Sequence, residues 1–338
     1  MKNLFLAATA ALALLVSCSK DYDEVMETAK GGVVSVSFVS DDTDTRAFFG
    51  ATATAEAWEK ALNTLTMYVF DSSGAMTLQR TFTPQELAGK TAIFSLPNVT
   101  VGASYDFYAV ANSVPNNITN KAALLAAIEK EAAQYNGTFA EVTAKAKRAG
   151  GFTMSGGTVK AIAAAGASTD VAITLKRLVA KVAIEMTPSP DFGTTYPGAL
   201  RVNTVTLKGT ASQTNVVLEG AYPEVPMNQS ATQTSNAASG KFQNLFYIYG
   251  NKVLPTGSYP TVTINATYDA DGNFSTTGDQ VEMNYDVALT GKTSGAFARN
   301  GYYRVAVTIK GLTGSDATMT ITPSEWETPA TQTIEVGA

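Results

Sequence analysis

A mainly β fold, built of two β-sandwich domains with a helical insertion in the first, is predicted by three observations. Charged residues make up only 16% of the chain and hydrophobic ones 45%. Thr, Ser, Asn, Gln and Gly dominate the remainder, a balance that suits half-buried pleated sheets better than helical bundles. Short stretches rich in β-branched and aromatic residues recur between Gly, Pro, Asn and Asp punctuation, the pattern of a sandwich. The length of 338 residues fits two domains of ~150 residues each.

The chain opens with Lys2, the apolar run Leu4 to Val16 and the small residues before Cys18, which is the arrangement of an export signal over 1–17. The run is shorter than the ~20 apolar residues that a membrane span requires. Leu15-Val16-Ser17-Cys18 resembles a bacterial lipobox, and Cys18 is the only cysteine in the chain. The resemblance implies a lipidated Cys18 as the first residue after export, with two acyl chains where one alone binds only marginally. The acidic stretch Lys20-Asp21-Tyr22-Asp23-Glu24 resembles the signal that sends such lipoproteins to the cell surface.

Val33 to Val39 alternates, with Val34, Val36 and Phe38 on one face and Ser35 and Ser37 on the other, as a half-buried strand does. Asp41 to Gly50 follows as a polar acidic loop with one basic residue, Arg46, just before Ala47-Phe48-Phe49. An exposed loop of that kind is where a protease reaches the backbone.

Thr54 to Ala61 reads as a turn of helix, and Leu62 to Phe70 as a strand closed by the turn Asp71-Ser72-Ser73-Gly74. Strands are expected at Thr91 to Leu96 and Ser104 to Asn112. From Asn120 to Arg148 the pattern changes, because Leu124, Leu125, Ile128 and Ala132 keep helical spacing and Asn120 suits an N-cap. One or two helices packed on the first sandwich are expected there. A Gly- and Ala-rich stretch from Gly150 to Ser168 separates them from Val171 to Met186, read as a long strand pair opening the second domain near residue 175. Further strands are expected at Arg201 to Lys208, Gln243 to Tyr249, Tyr259 to Tyr268, Val281 to Leu289 and Tyr302 to Ile309, with a long loop over Asn228 to Ser239.

The order of these parts resembles the FimA-type major fimbrial subunits (fimbrillins, type V pilins) of Bacteroidetes. The lipobox, the short strand, Arg46 in its acidic loop, Leu65 to Phe70, Tyr105 to Asn112, Val171 to Met186, Asn300 to Ile309 and the terminal Trp326 to Val336 carry the likeness. The resemblance implies transthyretin-like sandwiches over 47–174 and 175–338, and a propeptide over 18–46 that a protease removes by cutting between Arg46 and Ala47. It also implies polymerisation by strand exchange, with other copies or other fimbrial subunits as partners. Loss of Val34, Val36 and Phe38 would bare a groove beside a row of unpaired backbone groups. The expected donor strand is Thr331 to Val336, whose Ile334 and Val336 share a face and so copy the apolar row that is lost.

Several functions are excluded or disfavoured. The chain has no histidine, which removes Ser-His-Asp and Cys-His catalysis and His-ligated zinc. No catalytic residue, cofactor or metal ligand is expected. Asp269-Ala-Asp-Gly-Asn273 starts like a calcium loop, but Phe274 stands where that loop needs Gly and Gln280 where it needs a bidentate Glu. It is read as a hairpin turn around Asp271-Gly272. Four of the 24 basic and seven of the 29 acidic residues precede residue 47, so 20 and 22 remain, a net charge of −2. A surface so nearly neutral carries no footprint for nucleic acid. It lets copies pack side by side without strong repulsion. The reading is therefore a surface fimbrial subunit serving adhesion, an outer-membrane lipoprotein as precursor, with host receptors as further partners. The alternative is a non-polymerising surface lipoprotein that binds glycans or host proteins through an aromatic platform of its Tyr-rich C-terminal strands.

Overall fold

The computed structural model describes residues 32–40, 49, 55–144, 147–148, 150–313, 317–325 and 328–329. The fold is mainly β. The first part of the chain makes a seven-stranded sheet from β1 (Val33–Ser40), β2 (Leu65–Phe70), β3 (Met76–Thr81), β4 (Thr91–Ser95), β5 (Ser104–Ala111), β7 (Met154–Ala161) and β8 (Ser168–Arg177). Their spatial order is β3-β2-β5-β7-β8-β1-β4. This sheet folds over a core that includes Val36, Phe38, Met67, Phe94, Phe107 and Ile173.

The turn after β2 follows its sequence. The Asp71 carboxylate accepts from the N–H groups of Ser73 and Ala75 at 2.8 and 3.0 Å, and Gly74 takes φ +83°, which an L side chain resists. The helix Pro84–Gly89 has a complete capping box between Thr83 and Glu86 with Pro84 in its first turn, an arrangement that satisfies otherwise orphaned N–H groups. β7 runs through the Gly- and Ala-rich stretch. A Cβ on Gly156 would stand 2.1 Å from the Thr174 carbonyl oxygen, and one on Gly157 would meet the Tyr108 ring at 2.6 Å. Glycine here permits a close approach of strands.

The second part stacks two sheets. The four-stranded one is ordered β12-β10-β15-β16, from β10 (Ala199–Thr210), β12 (Gln229–Thr234), β15 (Thr261–Asp269) and β16 (Gln280–Ala288). The six-stranded one is ordered β13-β14-β9-β17-β18-β19, from β9 (Val179–Pro188), β13 (Asn236–Ala238), β14 (Lys241–Tyr249), β17 (Gly301–Ile309), β18 (Ala317–Glu325) and β19 (Thr328–Pro329). Val182, Ile184, Phe246 and Val305 from one sheet meet Val205, Ile264 and Tyr285 from the other in a common core. The opposite face of β9 and β14 is also buried. Val179, Ala183, Leu245 and Tyr247 lie against Tyr135, Val142 and Phe152 of the first part. Burial on both faces explains why these strands read as near-continuous apolar runs.

Three expectations are corrected. Val171 to Met186 is not a strand pair, since β8 pairs with β1 and β7 while β9 pairs with β14 and β17; the chain passes from one sheet to the other at Leu178. The long loop over 228–239 instead holds β12 and β13. β12 is an edge strand of polar residues whose Gln233 is buried, donating to the Leu245 carbonyl at 2.7 Å and accepting from its N–H at 3.2 Å. A side chain there does what a backbone group does in a ladder. The helical region holds two short α-helices, within the one or two expected, but the helical spacing read through Ile128 and Ala132 does not continue the first of them, and three short pieces result. These are Lys121–Ala126, capped by Asn120 accepting from the Ala123 N–H at 2.8 Å, the 3-10 turn Ala132–Tyr135 and the helix Phe139–Ala144. Between the first two, β6 (Ile128–Glu129) pairs with β11 (Thr214–Asn215), which reaches back from the second part of the chain.

Candidate functional site

The site of interest is the seat of β1. This strand lies inside its sheet, parallel to β8 over eight pairs from Val33↔Ser168 to Ser40↔Leu175, and antiparallel to β4 over five pairs from Val33↔Ser95 to Ser37↔Thr91. Alternation along the strand turns Val34, Val36 and Phe38 inward, and each is at most 1% exposed. Phe38 meets the Phe82 ring edge-on at 5.4 Å between centroids. At about 1.5–3 kcal/mol for burying one such side chain, the three together contribute on the order of 5–9 kcal/mol. That is comparable with the whole net stability of a domain, about 5–15 kcal/mol. A sheet that loses β1 therefore cannot leave the vacated groove open to water.

The segment that follows is clamped elsewhere. In the 3-10 turn Ala57–Lys60, Trp58 packs against Phe152 and Tyr247 at 5.6 and 6.0 Å between centroids. Glu59, fully buried, faces Lys181 of β9, whose Nζ lies 3.0 Å from Oε1 and 3.2 Å from Oε2. The Tyr247 hydroxyl donates to the same carboxylate. Burial pushes the Lys181 ammonium below its ordinary range, and the Glu59 charge opposes that shift. Burial, reinforced by the Glu59 charge, raises the Tyr247 hydroxyl well above its ordinary value. Arg177 Nε donates to the Glu59 carbonyl at 2.8 Å and its Nη1 to Asn300 Oδ1 at 2.7 Å.

A second polar cluster crosses the same junction. Glu129 Oε1 accepts from the hydroxyls of Tyr135 and Tyr249 at 2.6 and 2.8 Å, and Arg148 lies 3.2 Å from Oε2. Buried charges of this sort are tolerated only when paired and hydrogen-bonded. Sequence reasoning missed Glu59, Lys181, Arg177 and Glu129. Lys181 sits in Val-Ala-Lys-Val-Ala-Ile, where alternation alone assigns it to solvent, and nothing local shows that another layer covers that face.

Cys18, Arg46, Ala47, Ile334 and Val336 lie outside the described residues. The aromatic platform expected of a non-polymerising binder is absent among the described residues. Tyr247, Tyr249, Tyr285, Tyr302 and Tyr303 are all buried, which leaves their rings in cores and at the junction.

The fold has known counterparts. A candidate cell adhesion protein from Bacteroides eggerthii is similar at a TM-score of 0.57 and 16% identity, over 88% of this chain and 96% of that one. One from Parabacteroides distasonis gives 0.58 and 14%, over 90% and 98%. The tip fimbrial protein Mfa3 of Porphyromonas gingivalis, with its C-terminus truncated, gives 0.53 and 14%, over 87% and 100%. No curated protein matches the chain. The model of the family described as the major fimbrial subunit protein (FimA) matches residues 33–216, more than half of the 338. This span includes the whole seven-stranded sheet, β1 with its buried face among it, and the chain belongs to the FimA major fimbrial subunit family.

Proposed function

We propose that this chain is exported as a lipoprotein through Cys18, cut between Arg46 and Ala47 at the cell surface, and polymerised into a fimbrium by exchange of strands. In this reading 18–46 is a propeptide, while 47–174 and 175–338 are two transthyretin-like domains of the mature subunit. The observation that carries it is the seat of β1. An inner strand with a fully buried apolar row precedes Arg46, and the clamp at Glu59 follows it. A cut between them leaves β1 held by non-covalent contacts alone and the rest of the chain fixed. Once β1 departs, the β8 and β4 edges and the apolar floor need a new strand, and β-strand addition supplies both backbone pairing and side-chain register. The donor we infer is Thr331 to Val336 of another subunit, entering with Ile334 and Val336 inward.

The reading is tested on protein extracted from the cell surface, by determining its N-terminal mass and running unboiled samples on a gel. It requires Ala47 as the first residue and a ladder of oligomers, and an Arg46→Ala variant that stays folded yet gives no ladder. A mature N-terminus at a lipidated Cys18, or equal ladders from the variant, would overturn it.

A further inference from the structure

Three carboxylates converge at the end of the β15–β16 hairpin. Oxygen atoms of Asp269, Asp271 and Asp279 lie within 4.8 Å of one another, although Asp279 stands ten residues from Asp269. The backbone arranges this meeting. β15 delivers Asp269 at its last position and Gly272 takes φ +75°. The Asp271 N–H then donates to Asp279 Oδ2 at 3.0 Å. Like charges this close repel. Among the described residues no ion pair reaches any of the three, and Arg201 of the adjoining β10 is engaged with Asn203 at 3.0 Å and lies over the Phe274 ring at 4.3 Å.

A second observation points to what belongs between them. Asp269 is fully buried. Its Oδ2 accepts from Gln280 Nε2 at 2.9 Å, while its Oδ1 is shielded from solvent and accepts no hydrogen bond of normal geometry. A buried carboxylate oxygen without a partner is costly unless a cation takes that place. The other carboxylates are oriented by hydrogen bonds of their own, with Asp271 Oδ1 accepting from the Asn273 N–H at 2.7 Å. Outer contacts of this type hold metal ligands in position.

We propose that Asp269, Asp271 and Asp279 bind one calcium ion, which pins the 270–279 connection to the end of the four-stranded sheet. The donor set consists of hard oxygens, and neither the histidine nor the thiolate that softer metals prefer is present at the site. Calcium accepts irregular arrangements of oxygens, whereas magnesium demands a near-ideal octahedron. The helix-loop-helix calcium template fails at Phe274 and Gln280 because it is the wrong template. Here the third carboxylate comes from Asp279, and Gln280 serves instead as the donor that fixes Asp269. The site is independent of strand exchange.

The test compares the full chain with an Asp271→Asn/Asp279→Asn variant, which leaves the buried Asp269 untouched, in chelator and in about 5 mM calcium, the range of weak extracellular sites. Calcium should raise the Tm of the wild type by about 2–4 °C and leave the variant unmoved. In chelator the variant should melt no lower than the wild type, since it has lost two repelling charges. Terbium luminescence excited through tyrosine gives a second readout on the wild type alone, and it keeps the test decisive if the variant does not fold. It should saturate at one site per chain and be displaced by calcium but not by equal magnesium. An unmoved wild-type Tm, an equal response from the variant, or equal displacement by magnesium overturns the proposal.

Discussion

Lys181 Nζ stands 3.0 Å from Glu59 Oε1 with both side chains almost wholly out of solvent, joining residues 122 positions apart across the junction of the two halves of the molecule. The pair fixes the turn Ala57–Lys60 against the outer face of β9. Because the ions have been taken out of water, their value lies in being mutual: each compensates a charge that would otherwise be stranded.

Glu59→Gln or Lys181→Met alone should each cost about 3–5 kcal/mol, since either leaves an uncompensated buried charge. The double substitution should cost clearly less than the sum, because the two residues contact each other. Urea midpoints of the three variants and the parent check this, and additive losses would show that the pair is not acting as a unit.

The pH profile follows from paired carboxylates and the absence of histidine. Burial raises the Glu86 carboxyl, but Arg80 at 2.5 Å and the Thr83 donors outweigh it and hold it below its ordinary 4.5. At Glu185 burial is outweighed in the same way by Lys241 at 2.6 Å and Gln243 at 3.1 Å. A carboxyl whose folded pKa is lowered contributes stability that is fully present above its unfolded value. That contribution fades as pH falls through 4.5 toward the folded pKa. The Tm should therefore be flat from about pH 6 to 7.5, where only an imidazole would titrate, and should decline below about pH 4.5. Thermal melts across that range decide it.

Much of the fold was legible because local pattern and tertiary role agree. Val34, Val36 and Phe38 alternate and are buried on one face. Asn120 suits a cap and caps. The Tyr- and Val-rich runs became β5, β14 and β17 within a few residues of where their composition put them. The errors fall where a second layer overrides the local pattern. Lys181 is covered by a turn from another part of the chain, Gln233 replaces a backbone group in an edge strand read as loop, and β7 is strand despite its glycines because Thr174 and Tyr108 approach too closely for side chains. Asp279 was invisible for the same reason. Only the hairpin register brings it back to Asp269.

The buried and exposed faces of β1 should respond differently. Phe38 fills the core beside Phe82, and Phe38→Ala should cost the uncut chain about 3–5 kcal/mol. Val39, one position on and 57% exposed, should tolerate Ala within about 0.5 kcal/mol. Equal urea midpoints for the two variants would mean that β1 contributes little to its sheet.

The last prediction concerns deletion of Thr331 to Ala338. The seat of β1 presents eight paired positions on β8 and five on β4, and the donor strand Thr331 to Val336 is six residues long, so at ~3.3 Å per residue it spans the β4 register and most of the β8 one. Its alternation puts Ile334 and Val336 on one face, as β1 does with Val34 and Val36. Pro329, just before the tail, has no N–H to donate to a ladder, which favours a break in pairing there. If the tail serves another subunit, removing it takes no pairing from its own. The truncated protein should then melt within about 2 °C of the parent, a loss below ~1 kcal/mol, yet give no ladder on an unboiled gel after a trypsin-like protease has cut at Arg46. A large loss of Tm would assign the tail to its own sheet. An intact ladder would assign the donor role to some other segment.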